Sequence, residues 1–307
     1  MNRKKLVSIA MTTYNGESYI EKQLQSILNQ TYNSLEIIIC DDCSNDSTVE
    51  IIKKYIRIDT RIQLVKNKKN LGFKKNFEQA ISLCTGDYIA LSDQDDIWKN
   101  NKIEKLLSKI GKHDLIHSAV SLIDEKGKII SNKWVKKNNF KYNFEKLIFG
   151  TTVTGCTVLF KKNLLKFFYP IPTGEKYHDW WLALLASKSK GITYLDEVLT
   201  LYRQHGLQDT GVNIETKYFK FKRILKEIID KKKSYRYSKS QQQVKRLKSF
   251  LEEKVEIFNS DEVDIINDAL KYHEDYINNF FHLKTFKYCI KYNYYNLCIK
   301  CLRDLIG

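Results

Sequence analysis

The chain has 307 residues, of which 43% are hydrophobic and 12% aromatic, with twelve glycines and two prolines. This composition indicates a packed protein of one large domain with an appendage, or of two domains, and excludes disordered, fibrous and low-complexity classes. The net charge of +16 is uneven, because residues 1–100 carry +1, residues 101–212 carry +8 and residues 213–307 carry +7, so a phosphate-rich partner is expected for the later parts.

Apolar runs alternate with segments of helical spacing along the first hundred residues. Strands are predicted over residues 6–11, 35–40, 62–65 and 88–91, and helices over residues 17–29, 51–55 and 73–84. Such alternation predicts a mostly parallel sheet with helices on its faces, whose ligands bind beyond the carboxyl ends of the strands. That edge would hold the polar loops 12–16, 41–47 and 92–96.

From about residue 114 the order becomes mixed. Strand-like segments are predicted over residues 115–123, 153–160 and 192–199, with a turn at 125–127 and a helix around 180–188. Beyond residue 211 the pattern is helical, and the stretch 217–254 holds 14 basic and 4 acidic residues. An amphipathic helix on anionic lipid and a solvated helical tail are both compatible with that composition.

Three carboxylates, Asp93, Asp95 and Asp96, stand where the fourth predicted strand opens into a loop. Crowded like charges raise one another's pKa unless a cation or strong hydrogen bonds compensate. The pattern therefore indicates a divalent cation bridging a diphosphate, with a solvated acidic loop as the alternative. An EF-hand calcium loop is excluded, because Ile97 and Trp98 occupy its fifth and sixth positions.

Seven cysteines spread along the chain fit reduced thiols better than disulfides. The pairs Cys40/Cys43 and Cys298/Cys301 have no histidine cluster beside them, which disfavours zinc. No apolar run approaches the roughly 20 residues that span a bilayer, and the start of the chain does not fit a signal peptide. We therefore expect a cytoplasmic protein.

Four motifs, in this order, resemble the family 2 glycosyltransferases of the GT-A fold. They lie at residues 7–15, at residues 40–48, at Asn70-Leu71-Gly72 with Asn76, and at residues 86–96. Residues 178–183 and 201–206 further resemble bacterial rhamnosyltransferases of this family, which usually use dTDP-rhamnose. The resemblance implies an α/β, Rossmann-like GT-A fold with a mixed, mostly parallel sheet flanked by helices. It also implies a domain over residues 1–212, with a nucleotide-sugar-binding half (1–100) and an acceptor half (101–212), followed by a basic helical region over 213–307.

The resemblance also implies roles for individual residues. The nucleotide would be bound by Thr12, Tyr14, Asn15, Asp42, Asn76 and Asp93. Asp95 and His205 would hold Mg²⁺ or Mn²⁺, which neutralises the leaving diphosphate. The diphosphate or the acceptor would be contacted by Asp96, Gly155, Trp180 and Arg203. Asp179 would be the general base of an inverting displacement.

Several of these positions keep a structural alternative. Asp41 and Asp46 could cap a helix, and Asp179 could cap the helix that starts near Trp180. His178 could orient Asp179 or be packed structurally. The adjacent tryptophans could belong to the core.

We therefore expect an inverting, metal-dependent glycosyltransferase that moves rhamnose from dTDP-rhamnose to a lipid-linked saccharide. It would act in biosynthesis of a cell-surface polysaccharide such as capsule or cell wall, with possible peripheral association at the inner membrane face. A UDP-sugar donor (glucose, galactose or N-acetylhexosamine) is the alternative. A basic nucleic-acid-binding protein is disfavoured, because no known module is present and the motif-bearing third is nearly neutral.

Overall fold

The computed structural model describes residues 4–134, 142–206 and 235–278. Within these residues the strands are β1 (Val7–Thr13), β2 (Leu35–Asp41), β3 (Ile62–Lys66), β4 (Tyr88–Ser92), β5 (Ile97–Trp98), β6 (Leu115–Ile123), β7 (Ile129–Ser131), β8 (Val158–Lys161) and β9 (Ile192–Arg203). The helices are α1 (Ile20–Leu28), α2 (Thr48–Ile56), α3 (Phe73–Ser82), α4 (Lys102–Ile110), α5 (Phe144–Phe149), α6 (His178–Ser187), α7 (Tyr235–Glu253) and α8 (Ser260–Asn278).

All of the strands belong to one sheet, in the order β3-β2-β1-β4-β8-β6-β9-β5, with β7 paired to β6. The strands that precede the polar loops, β1 to β4, pair in parallel, as do β6 and β9. Antiparallel pairs join β8 to β4 and β6, β5 to β9, and β7 to β6. The predicted α/β fold, a mixed sheet flanked by helices, is confirmed.

The register of the central strands brings their carboxyl ends together. Thr13 pairs with Asp41 across β1 and β2, and Met11 pairs with Ser92 across β1 and β4. The three polar loops that follow these strands therefore meet at one edge of the sheet, as parallel pairing requires.

Burial of continuous apolar strands and of one face of each helix builds the core. Every residue of β1 is buried, and α1 buries Ile20, Leu24 and Ile27, which recur at helical spacing. Each such side chain contributes about 1.5–3 kcal/mol when it is removed from water. The three polar loops are thus attached to densely packed strands and helices.

The segment predicted as a strand over residues 153–160 begins differently. Gly155–Thr157 forms a turn of 3-10 helix, and β8 starts only at Val158. The amide of Gly155 donates to a carboxylate oxygen of Asp179 (2.8 Å) instead of entering a strand ladder. The short strands β5 and β7 and the helices α4 and α5 were not predicted.

The chain divides into two compact units. The first comprises residues 1–143, 150–171 and 177–211 and contains the whole sheet; the second comprises residues 144–149, 172–176 and 212–307. In the second unit Arg246 is buried, where its guanidinium bonds Glu175 and the carbonyl of Ile148 (2.9 Å).

Parts of the predicted basic region lie outside the described residues. These are residues 207–234, which include the start of the basic stretch, and residues 279–307, which include the second CxxC pair. Among the helices that the structure does describe, none combines the length and apolarity needed to cross a bilayer.

Candidate active site

A cleft of about 550 Å³ lies in the first unit, at the carboxyl ends of β1, β2 and β4. Nine of the thirteen predicted site residues line it, namely Thr12, Tyr14, Asp42, Asn76, Asp93, Asp95, Gly155, Asp179 and His205. The other four, Asn15, Asp96, Trp180 and Arg203, are not among its lining residues. The cleft therefore joins residues from both halves of the sequence.

Gln94 fixes the loop after β1. Its side-chain amide accepts from the amide of Tyr14 and donates to the carbonyl of Tyr14, both at 2.9 Å. A side chain at Gly16 would lie 2.2 Å from the Gln94 oxygen, so only glycine permits this approach. The ring of Tyr14 remains 49% exposed, which leaves it available to stack on a planar ligand.

Asp42 organises the loop that precedes α3. Its Oδ1 accepts from Asn67 Nδ2 (2.8 Å) and from the amide of Leu71 (2.7 Å), and its Oδ2 accepts from the amide of Gly72 (2.8 Å). A carboxylate offers about four lone-pair positions, so one remains for a ligand N–H. Asn76 supports the arrangement by accepting from Asn67 Nδ2 (3.0 Å).

The remaining polar residues of the first two loops bond to one another. Asp41 accepts from Thr13 Oγ1 (2.9 Å), and Asp46 accepts from the amides of Thr48 and Glu17 (both 3.0 Å). Asn15 does not line the cleft; its Oδ1 accepts from the amide of Asn45 (2.9 Å) and so joins the two loops. Asp46 thus bonds the first amide of α2 from a position one residue before the N-cap residue Ser47, whose own side chain makes no cap bond.

A buried lysine lies behind the carboxylates. Lys102 is fully buried, donates to the carbonyl of Cys156 and to Thr200 Oγ1 (3.0 Å), and lies 3.6 Å from the ring centre of Trp98. Burial lowers its pKa to about 7. Neither its burial nor these partners were predicted.

Crowding of like charges was predicted to raise the pKa of these carboxylates, and such a rise is found for Asp93 and Asp96. Burial, and secondarily Asp96 and Asp95, raise the pKa of Asp93 well above its usual range. Burial and then Asp95 raise the pKa of Asp96 to about 7. Asp96 is fully buried; its Oδ1 accepts from the amide of Arg203 (3.1 Å), and its Oδ2 has no hydrogen-bond partner among the described residues.

Asp95 and His205 meet although 110 residues separate them. Nε2 of His205 lies 2.7 Å from Oδ2 of Asp95, and the His205 ring packs on Tyr19 with centroids 4.8 Å apart. The two atoms are at hydrogen-bonding distance, and a metal bound by both of them would take the place of the proton between them. Tyr19 was not predicted as part of the site.

Arg203 holds the carboxylate loop, residues 93–96, from outside the cleft. Its Nε donates to the carbonyl of Asp95 (2.7 Å), and its Nη1 donates to the carbonyls of Asp124 (3.1 Å) and Glu125 (3.0 Å). With 1% of its surface exposed, the guanidinium faces backbone rather than the cleft. The geometry therefore makes Arg203 a positioning residue, in place of the predicted diphosphate contact.

The donor atoms present fit a hard divalent cation. Asp95 Oδ2 and His205 Nε2 are 2.7 Å apart, near the about 2.9 Å that separates adjacent ligands of an octahedral ion with bonds of about 2.05 Å. A second group, Asp93, Asp96 and Cys156, has ligand atoms within 4.8 Å of one another. Its sulfur suits softer metals, so Asp95 with His205 fits Mg²⁺ or Mn²⁺ better.

Asp179 stands in the first turn of α6 and lines the same cleft as the carboxylates of the loop after β4. Its Oδ2 accepts from the amide of Gly155 (2.8 Å), and its Oδ1 accepts from the amide of Trp180 (2.8 Å). These two amide donors fix the orientation of the carboxylate in the cleft. Trp180 is 8% exposed, and Trp181 is fully buried, so both belong to the core.

His178 lines the cleft beside Asp179 and is 7% exposed. Its ring stacks on Phe77 with centroids 3.9 Å apart, and burial lowers its pKa to about 3, so the ring is neutral. Neither ring nitrogen has a hydrogen-bond partner among the described residues. His178 is therefore packed, and does not orient Asp179 through a hydrogen bond.

Comparison with known proteins yields a family and several relatives. Residues 8–168 match the family model described as Glycosyl transferase family 2. The chain is 32% identical over 230 residues to the dTDP-rhamnosyl transferase RfbG of Shigella flexneri, covering 70% of this chain and 78% of that protein. It is 31% identical over 201 residues to the UDP-Glc:alpha-D-GlcNAc-diphosphoundecaprenol beta-1,3-glucosyltransferase WfgD of Escherichia coli, covering 64% and 77%.

Solved structures share the fold. S. aureus TarS 1–349 in complex with UDP-GlcNAc superposes with a TM-score of 0.57 at 17% identity, covering 91% of this chain and 94% of that one. The mannosyltransferase PcManGT from Pyrobaculum calidifontis, in complex with GDP-Man and Mn²⁺, gives a TM-score of 0.54 at 16% identity, covering 99% and 86%.

Proposed function

This chain belongs to glycosyl transferase family 2, and on that basis we propose that it transfers a sugar from a nucleotide donor to a lipid-linked saccharide, with inversion and with a divalent metal. The observation that carries the proposal is the single cleft in which Asp42, Asp95 and Asp179 come together from distant parts of the chain. Metal–diphosphate binding and proton removal act on reactants held side by side, so the groups for both tasks must lie in one cavity.

The nucleotide would lie along the loops after β1 and β2. Asp42 keeps one acceptor position for the N–H of a pyrimidine, and the exposed ring of Tyr14 can stack on the base. Thr12, Asn76 and Asp93 complete this wall. Asn15 supports the pocket from behind through its bond to Asn45.

Asp95 and His205 would hold Mg²⁺ or Mn²⁺ at the diphosphate. When bound, the ion acts as a Lewis acid that neutralises charge on the leaving nucleoside diphosphate. Arg203 keeps the Asp95 backbone in place, which fixes the carboxylate relative to the cleft.

Asp179 would take the proton of the acceptor hydroxyl. Its carboxylate is held by the amides of Gly155 and Trp180, and because position 155 is glycine, the Asp179 carboxylate itself can lie close to that backbone. An inverting displacement needs such a base on the side of the anomeric carbon away from the leaving diphosphate.

We propose rhamnose, from dTDP-rhamnose, as the transferred sugar. RfbG supports this choice by its name, and the cleft offers an aromatic wall of Phe73, Phe77 and Tyr177 to the methyl group of a 6-deoxy sugar. A UDP-sugar is the competing donor, supported by the names of WfgD and of the TarS complex. The name of WfgD, which gives a diphosphoundecaprenol-linked sugar as its acceptor, also supports a lipid-linked acceptor for this chain.

The test is release of nucleoside diphosphate from a panel of nucleotide sugars, with and without Mn²⁺, by the wild type and by Asp95→Ala. We expect turnover with dTDP-rhamnose that depends on the metal and falls by at least 100-fold in the variant, on the order of the loss for a missing charge-stabilising group. Equal turnover by both proteins would remove Asp95 from the mechanism. Faster turnover with a UDP-sugar would show that the donor is a UDP-sugar rather than dTDP-rhamnose, and the proposed reaction type would stand.

A further inference from the structure

Tyr19, at the start of α1, contacts two side chains that act on Asp95. The centroid of its ring lies 4.8 Å from that of the His205 imidazole, with 31° between the ring planes, and the guanidinium carbon of Arg203 lies over the ring at 4.8 Å from the centroid. Arg203 donates to the carbonyl of Asp95 (2.7 Å), and Nε2 of His205 lies 2.7 Å from its Oδ2. One aromatic ring therefore touches the residue that holds the Asp95 backbone and the residue that meets its carboxylate.

The end of β9 explains why one ring reaches both side chains. The amide of Gln204 donates to the carbonyl of Ile123 (2.8 Å), so pairing with β6 continues past Arg203, the last residue of β9. Side chains two positions apart in an extended segment point to the same side, about 7 Å from each other. Arg203 and His205 are therefore neighbours on the side where Tyr19 lies.

The backbone of Tyr19 is fixed independently of these contacts. Tyr19 is the N-cap residue of α1; its amide donates to the carbonyl of Gly16 (3.0 Å), and its carbonyl accepts from the amide of Gln23 (3.3 Å). The helix that follows buries Ile20 and Leu24 in the core. The ring is therefore attached to a backbone position that helix packing holds in place.

Contacts of this kind restrict the histidine ring. An imidazole that binds a metal must keep one orientation, and removal of the groups that surround the ligands of metal sites commonly lowers metal affinity by about 10- to 100-fold. The face of a tyrosine ring packs on an imidazole and attracts a guanidinium. Both contacts of Tyr19 are made by the ring rather than by the hydroxyl, so phenylalanine at this position should keep them.

We propose that Tyr19 is a positioning residue of the metal site, whose ring holds the His205 imidazole where Nε2 and Asp95 Oδ2 can bind one cation. This role rests on the proposed function, because the cation is the Mg²⁺ or Mn²⁺ proposed there. Simple packing at the start of α1 is the rival role for Tyr19. It predicts that loss of the ring lowers stability without a specific loss of metal affinity.

The experiment measures binding of Mn²⁺ alone to the full chain, by electron paramagnetic resonance of the free ion. Tyr19→Leu should raise the dissociation constant about tenfold, whereas Tyr19→Phe should stay within about twofold of the wild type. In the Asp95→Ala background, Tyr19→Leu should have no further effect, because the site is already lost. Tyr19→Met, which also lacks the ring, takes the place of Tyr19→Leu if the latter melts below the assay temperature.

The matched control is Tyr55→Leu. Tyr55 is another half-buried tyrosine, on α2, and its hydroxyl accepts a hydrogen bond from Gln25 of α1 (2.8 Å). Its replacement should lower the melting temperature and leave the dissociation constant of Mn²⁺ unchanged. An equal rise of the dissociation constant in Tyr55→Leu and Tyr19→Leu would assign the effect to loosening of α1 and would overturn the inference.

A second measurement needs no metal. The ring current of Tyr19 shifts the carbon-bound protons of the His205 imidazole, whose magnetic resonance signals are assigned by their loss in His205→Ala. These signals should keep their positions in Tyr19→Phe and in Tyr55→Leu, and should move toward those of a free histidine in Tyr19→Leu.

The outcomes separate this inference from the proposed function. An unchanged dissociation constant in Tyr19→Leu would overturn the inference and leave the proposed function standing, and so would His205 signals that stay in place in that variant. Mn²⁺ binding that is equal in Asp95→Ala and in the wild type would instead overturn the proposed metal site, and the role of Tyr19 with it.

Discussion

His205 Nε2 lies 2.7 Å from Asp95 Oδ2, and this pair joins the end of β9 to the loop after β4. If both atoms bind the metal, His205→Ala should raise the Mn²⁺ concentration needed for half-maximal turnover by about 10- to 100-fold. Metal titration of nucleoside diphosphate release measures this. The control His113→Ala alters a half-buried histidine after α4 and should leave the Mn²⁺ requirement unchanged. An unchanged requirement in His205→Ala would exclude His205 as a ligand.

Arg203→Lys should lower the free energy of unfolding and also raise the Mn²⁺ concentration needed for half-maximal turnover. A lysine has one nitrogen, which cannot replace the three bonds from the guanidinium to the carbonyls of Asp95, Asp124 and Glu125. We expect a loss of about 2–4 kcal/mol in the free energy of unfolding, measured with urea.

The matched control for that substitution is Arg61→Lys. Arg61 pairs with Asp59 at a partly exposed position, so the same chemical change should lower the free energy of unfolding by about 1 kcal/mol or less. Similar losses of unfolding free energy in Arg203→Lys and Arg61→Lys would show that the burial of Arg203 does not add to its contribution to stability.

Lys102→Met should be strongly destabilising, by about 3–5 kcal/mol below pH 7, where the buried amino group beside Asp93 and Asp96 is protonated. Asp96→Asn in the same chain should recover part of the loss, since no ionisable group then remains at position 96. A double-mutant cycle in urea measures the coupling, expected at about 1–3 kcal/mol. Strictly additive losses would mean that the two side chains do not interact.

His178→Phe should make stability less dependent on pH. The pKa of His178 is about 3 in the folded protein, whereas an unfolded histidine takes up a proton near pH 6.5, so stability falls as the pH falls through that window. From pH 7 to pH 5 the wild type should lose about 2 kcal/mol more than the variant, whose ring can keep the stack on Phe77. Parallel urea midpoints across this range would contradict the buried, neutral imidazole.

The fold could be predicted where local pattern and burial coincide. The strands β1, β2 and β4 are buried runs, and the predicted turn at residues 125–127 is present, although the strand β7 that follows it was not predicted. α4 was missed although Ile103, Leu106 and Ile110 recur at helical spacing. β5 could not be found, because its two residues become a strand only by pairing with Leu201 and Thr200, about one hundred positions away.

The carboxylates of the candidate site could be predicted from the sequence. The buried residues that hold them in place, Lys102 and Arg203, could not be assigned that role. Asp93 and Asp95 stand out as a cluster after a strand, but Lys102 looks like an ordinary charge on an amphipathic helix. Its burial depends on Cys156 and Thr200, which only the folded chain brings near. Arg203 was assigned to the diphosphate for its charge, whereas tertiary packing directs its guanidinium to backbone carbonyls.

Asp179→Asn is the most direct test of transfer in this cleft. The amide side chain can still accept from the amide of Gly155, so the fold and the binding of the nucleotide sugar should be kept, within about threefold by calorimetry. Removal of the acceptor proton should fail, and the rate of sugar transfer, followed by mass spectrometry of the product, should fall by about 100-fold or more. Transfer at the wild-type rate by Asp179→Asn, with donor bound equally well, would contradict the account.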